Sequence, residues 1–227
     1  MADLFSCGTI ANGSSNGTID SRSYAFVEPN MGCQTTTSYN NLITTFEQKT
    51  ILTRKKSESF LTIIYSYENI LTREYRIIEH FIDSIAEDGL NPFYVVSFDR
   101  GCTPTSIALS GSNWVVTMAD TRYYSLYNRK ASSAFLTDGV KWRAGTIAAI
   151  SDNTSITVNL TTGPFGSLAL SDAQLNANIY PIYECYLSPN QLQGWEKTRY
   201  IDEKVNSSYD GGFMYSGQLT FISKYKV

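Results

Sequence analysis

Phe60-Leu61-Thr62-Ile63-Ile64-Tyr65-Ser66-Tyr67 is followed by Thr72-Arg73-Glu74-Tyr75-Arg76-Ile77-Ile78-Glu79-His80-Phe81-Ile82 and then by Phe93-Tyr94-Val95-Val96-Ser97-Phe98. The first piece is rich in β-branched and aromatic residues and reads as a strand. In the second the period changes. Apolar groups at Ile77, Ile78, Phe81, Ile82 and Ile85 follow the i, i+1, i+4, i+5, i+8 spacing of one helix face. Glu74, Arg76, Glu79 and Asp83 occupy the opposite face. Thr72 is the N-cap candidate, Gly89 stands where a helix ends, and Pro92 prevents continuation. The third piece is again a strand.

Working upstream, Asn41–Glu47 and Thr50–Thr53 read as strands, so the local order is strand, strand, helix, strand. Residues 6–40 are rich in Gly, Ser, Asn and Thr around one apolar patch, Tyr24-Ala25-Phe26-Val27. Downstream, Asn113–Met118 and Arg122–Tyr127 have strand composition, and Lys141–Ile150 with Ser155–Leu160 forms the clearest hairpin, turning at Asp152-Asn153. Asn178–Leu187 is another strand, and its Pro181 predicts an edge or a bulge. The chain therefore divides into four pieces. Residues 1–40 are an extended N-terminal arm or loops, 41–100 a helix-bearing β domain, 101–187 a β-rich domain, and 188–227 C-terminal strands returning to a sheet. The fold class is mainly β with one principal α-helix.

Composition narrows the function classes. The 227 residues carry 18 Lys+Arg against 21 Asp+Glu, and only 17% are charged, so no basic footprint marks a duplex nucleic-acid binder. With 42% hydrophobic and 13% aromatic residues a core can form, which disfavours disorder. The start, Met1–Cys7, lacks a basic n-region and a long apolar run, so a Sec-type signal is not expected. No stretch approaches the ~20 apolar residues of a membrane span.

Candidate chemistry is sparse. Cys7, Cys33, Cys102 and Cys185 lie far apart without a C-x-x-C pair, so separate thiols are expected, with a Cys7–Cys33 disulfide as the alternative. A catalytic triad would have to use the one histidine, His80, yet no G-x-S-x-G elbow accompanies it. Glu184, Asp202, Glu203 and Asp210 are the carboxylates available for glycoside chemistry, and nothing in their spacing pairs them. No P-loop, H-E-x-x-H or EF-hand pattern occurs. Arg54-Lys55-Lys56 reads as a solvated connection. Tyr123, Tyr124 and Tyr127, like Tyr180, Tyr183 and Tyr186, suit a core or a protein interface, since tyrosine combines a large apolar area with a polar tip. No catalytic, cofactor-binding or metal-ligating residue is therefore assigned, and no cofactor is expected.

Three stretches carry a family resemblance. They are Thr45-Phe46-Glu47-Gln48 with Ile51-Leu52-Thr53-Arg54, Leu71–Ile82, and Asn91-Pro92-Phe93-Tyr94-Val95-Val96-Ser97-Phe98-Asp99. In this order they resemble bacteriophage minor tail and distal tail (baseplate) proteins. Asp138–Ile147 with Ile156–Val158, and Gly217–Phe221, are similar to the hairpins and closing strand of phage tail modules. The resemblance covers about half the chain by pattern. It implies a tail-tube-like β-sandwich or split barrel plus a second β-rich domain. It also implies a non-enzymatic virion structural protein, assembled in the host cytoplasm. Such a protein forms a homo-oligomeric ring in the tail alongside other tail proteins. A carbohydrate-binding β-sandwich, motivated by the Tyr/Trp content and testable at Trp142 and Trp195, and a head–tail connector or collar protein are the alternatives.

Overall fold

The computed structural model describes residues 3–6, 16–19, 22–38, 42–46, 49–53, 60–125, 131–151, 153–159, 168–189, 191–201, 204–205, 208–209 and 212–225. Along the chain these form β1 (Asn16–Ile19), β2 (Arg22–Ala25), β3 (Gly32–Ser38), β4 (Leu42–Phe46), β5 (Lys49–Thr53), β6 (Phe60–Ile70), α1 (Thr72–Phe81), β7 (Phe93–Val96), β8 (Ser106–Ser110) and β9 (Asn113–Thr117). The second half contributes β10 (Ser133–Thr137), β11 (Trp142–Ser151), β12 (Ser155–Asn159), α2 (Leu170–Asn176), β13 (Asn178–Leu187), β14 (Glu196–Ile201), β15 (Lys204–Val205), β16 (Ser208–Tyr209) and β17 (Gly212–Ser223).

The protein is mostly β. One antiparallel sheet of 11 strands runs β3-β6-β17-β13-β10-β11-β12-β9-β8, with β7 added to β13 and β14 to β17. Period-two burial builds it. Leu61, Ile63, Tyr65 and Tyr67 of β6 are buried while the residues between them are half-buried, so one face of the strand meets the core. Helix α1 places Ile77, Ile78 and Phe81 on that core, as its periodicity predicts. A smaller cluster on the other side of the sheet joins Phe135, Trp142, Ala144, Ile182, Val96 and Leu4, with Phe26 packed against it.

The strand β13 organises the sheet. Ile182 faces Ser133 of β10 across one edge and Val96 of β7 across the other, and Cys185 likewise lies between Ser223 of β17 and Phe93 of β7. Pro181 is thus inside a strand paired on both sides, not at an edge. It is tolerated because its missing N–H falls where β7 ends. Ser97 N donates to Pro181 O at 2.9 Å, and Ser97 O, which a proline cannot reach with a donor, accepts instead from Arg100 N at 3.2 Å. That second bond closes the 3₁₀ turn Phe98–Arg100.

Several local expectations differ from what is observed. The N-terminal residues are built into the body: Phe5 N donates to Tyr94 O, Tyr94 N donates to Asp3 O, and Phe5 is fully buried among Tyr65, Phe81, Phe93 and Phe221. Strand β3 pairs with β6 over its whole length. Leu71, not Thr72, caps α1; its N–H donates to Glu74, while the Thr72 hydroxyl donates to Phe213 O at 2.6 Å. After Phe81 the helix widens into a π turn, Ile82–Ala86, then tightens to Glu87–Gly89, where Gly89 adopts φ +93°.

Residues 122–125 are a turn rather than a strand, because Asp120 Oδ1 accepts from Arg122 N and Tyr124 N donates back to Thr121 O. A seven-residue helix, α2, covers the outer edge of β8, where Gln174 Nε2 donates to Ile107 O at 2.7 Å.

Candidate functional site

The strand β17 carries a graded row of rings outward from the core. Leu219 and Phe221 are fully buried, and Gly217, Tyr215 and Phe213 follow on the same face at two-residue intervals. Gly217 leaves room for Trp195, whose ring a Cβ there would strike. Tyr215 stacks on Tyr75 of α1 with centroids 4.0 Å apart, and Trp195 lies 5.2 Å from Tyr75 and 5.5 Å from Tyr67. The row ends in the open: Phe213 is 44% exposed and meets Tyr200 of β14, 55% exposed, edge to face at 5.4 Å. Lys197 Nζ sits 5.3 Å from the Phe213 ring. The geometry offers an aromatic landing surface beyond the end of β6, where Tyr215 faces Ile70. Among the described strands β14 pairs only with β17, which leaves its other edge open.

Elsewhere a polar cluster fastens the outer edge of β3. Asp99 of the 3₁₀ turn accepts from Thr35 N at 2.7 Å, from the Thr35 hydroxyl, and from Ser97 Oγ at 2.9 Å. Cys33 Sγ lies 3.6 Å from the same carboxylate. Burial pushes the Cys33 thiol up to about 11, the reverse of an activated nucleophile. Cys33, Cys102 and Cys185 are free thiols, so Cys33 is not joined to Cys7; Cys7 itself lies outside the described residues. Burial also raises Cys102 and, further, the fully buried Cys185.

The two tyrosine groups meet through an arginine that sequence inspection did not single out. The Arg100 guanidinium lies 4.9 Å from the Tyr123 ring and donates to the Tyr183 hydroxyl at 3.2 Å. Arg122 approaches Tyr123 at 4.8 Å and pairs with Asp120 at 3.1 Å. Burial raises the Tyr183 hydroxyl and the arginine partly opposes it. Tyr124 is buried, and Tyr180 packs on Phe98 at 5.2 Å. Tyr127 lies outside the described residues.

The remaining candidates are dispersed. His80 is half-buried, with Nδ1 3.1 Å from Ser84 Oγ one helical turn on. Glu184 Oε1 binds Lys224 Nζ at 2.6 Å, a hydrogen bond that holds the ammonium pKa above its ordinary value. Asp202, Glu203, Asp210 and Arg54-Lys55-Lys56 lie outside the described residues. Trp142 is buried and stacks on Phe135 at 5.2 Å, and Trp195 is half-buried, 5.2 Å from Tyr75 and 5.5 Å from Tyr67. Among the described residues no three His, Cys, Asp or Glu side chains gather as a metal-holding group, and no helix is long and apolar enough to cross a membrane. The chain matches no protein-family model and no curated protein.

Sequence reading missed the Tyr200–Phe213 surface. Its signal was the two-residue spacing of Phe213, Tyr215 and Gly217 in a strand, with the glycine marking where another ring must enter.

Proposed function

We propose that this chain is a non-enzymatic structural subunit of a phage tail or baseplate, distal-tail-like, that assembles with copies of itself into a ring. The observation that carries the reading is that, among the described strands, two-stranded ladders stand outside the main sheet. Strands β4 and β5 pair only with each other among the described strands, as do β15 and β16. A two-stranded ladder is marginal alone in water. The β4–β5 ladder nevertheless sets Ile43 opposite Leu52 and contains Leu42, Phe46 and Ile51. Such a ladder gains stability by lying against a neighbouring subunit. The forking of the sheet at β13, with β7 on one edge and β17 and β10 on the other, accords with a split barrel or sandwich of the tail-tube kind.

Size-exclusion chromatography with light scattering, followed by negative-stain imaging, tests the reading. A closed ring of copies is the expected particle. A monomer at every concentration, never incorporated into a tail, overturns it.

A further inference from the structure

The outer strands of the main sheet have their free edges occupied in different ways. On β7, Tyr94 O accepts from Phe5 N and Tyr94 N donates to Asp3 O; on β8, Gln174 of α2 donates to Ile107 O. Strand β14 carries Glu196, Lys197 and Arg199 and is bulged between Lys197 and Tyr200, and charge and bulge both blunt an edge. Strand β3 has none of these devices. Its residues Gly32-Cys33-Gln34-Thr35-Thr36-Thr37-Ser38 include no charge and no proline, and they pair with β6 without a register shift. Because Thr35 N donates to Asp99 and not to β6, the alternation of an antiparallel ladder turns the main-chain groups of Cys33, Thr35 and Thr37 outward. Asp99 occupies the middle one, accepting from Thr35 N at 2.7 Å, from the Thr35 hydroxyl, and from Ser97 Oγ at 2.9 Å.

We infer that the outer edge of β3 is a self-association edge, made for β3 of a second copy, which Asp99 holds closed. The occupant follows from register and charge. Two β3 strands lying antiparallel about a twofold axis at Thr35 set Thr35 opposite itself and Cys33 opposite Thr37 on either side. Every outward donor and acceptor then meets another outward group. No like charges face each other, and threonine lies against threonine at the axis. Asp99 opposes this pairing in two ways. Its carboxylate takes the donor at the centre of the register, and two such carboxylates would be brought together at the axis. The contact is separate from the one that would build a ring, since it joins like edges and not a front to a back.

Light scattering on size-exclusion eluates tests the edge, once far-UV circular dichroism and a cooperative melt show each variant to be folded. Asp99→Ala is expected to give at least twice the wild-type mass at equal concentration, reversibly on dilution. Adding Thr35→Pro, which removes the central donor and leaves the bonds to β6 in place, is expected to restore the wild-type mass. Asp99→Ser stands in for Asp99→Ala in both comparisons if the alanine variant does not fold. Wild-type mass for the folded single variant, or a doubled mass that persists with Thr35→Pro, overturns the inference. So does failure of both single variants, or of the double variant, to fold, because the carboxylate or the Thr35 amide would then serve the fold and not close an edge. Every comparison is with wild type, so a wild-type monomer overturns the ring reading alone.

Discussion

Phe5 shows how much one apolar residue near a chain start can hold. Its ring lies within 6 Å of four other aromatic rings, from the β6, α1, β7 and β17 elements. Phe5→Ala is expected to cost about 3–5 kcal/mol, read as a lower urea midpoint at unchanged slope. Two neighbouring tyrosines make a controlled comparison. The Tyr65 hydroxyl donates to Val96 O, whereas the buried Tyr67 hydroxyl has no partner among the described residues. Tyr65→Phe should therefore destabilise by about 1–2 kcal/mol, while Tyr67→Phe should be neutral or stabilising. Equal losses in the two urea titrations would contradict the assignment. Cys33 provides a pH test. Its folded thiol is raised to about 11 from an ordinary 9.0, so the folded state holds a proton that the unfolded state releases between those values. The stability contribution is complete below pH 9 and is lost as pH rises toward 11. Cys33→Ser should flatten that part of the stability profile.

At the level of elements, legibility follows from how local the determining forces are. Helix α1 and the π turn that continues it were readable because five apolar residues recur at helical spacing and Gly89 marks the stop; the cap was not, because the Thr72 hydroxyl is spent on Phe213 O, 141 residues away. The β11–β12 hairpin was readable from alternation and Asp152-Asn153, and Asn153 does take φ +56°. Arg122–Tyr127 misled because aromatic β-propensity is weaker than an Asp120 carboxylate gripping the backbone two residues on. Helix α2 is too short for its period to show. The aromatic surface was invisible because Tyr200 and Phe213 are brought together only by strand pairing across a long connection. Gly89 supports a sharp prediction. A Cβ there would stand 2.6 Å from Leu187 O on a backbone already at φ +93°. Gly89→Ala should lower stability by more than about 1 kcal/mol in thermal unfolding, whereas a gain would show that the turn re-forms freely.

Across the whole molecule, β13 belongs at once to the part carrying α1 and to the part carrying the β11–β12 hairpin. The larger core cluster extends through both, from Phe81 and Phe221 to Trp114 and Val158. Unfolding is therefore expected as one transition. Tryptophan fluorescence, with Trp114 and Trp142 in one part and Trp195 in the other, should coincide with far-UV circular dichroism in urea. Two separated midpoints would mean that the parts come apart independently. Pro181 governs the geometry where these parts meet. Pro181→Val would restore a donor aimed at Ser97 O, beside the bond that oxygen already accepts from Arg100 N. The same 3₁₀ turn delivers Asp99 to Thr35 N, the backbone donor on the outer edge of β3. The carboxylate that closes the last turn after β7 is thus also what occupies an outward-facing donor on the terminal strand of the sheet.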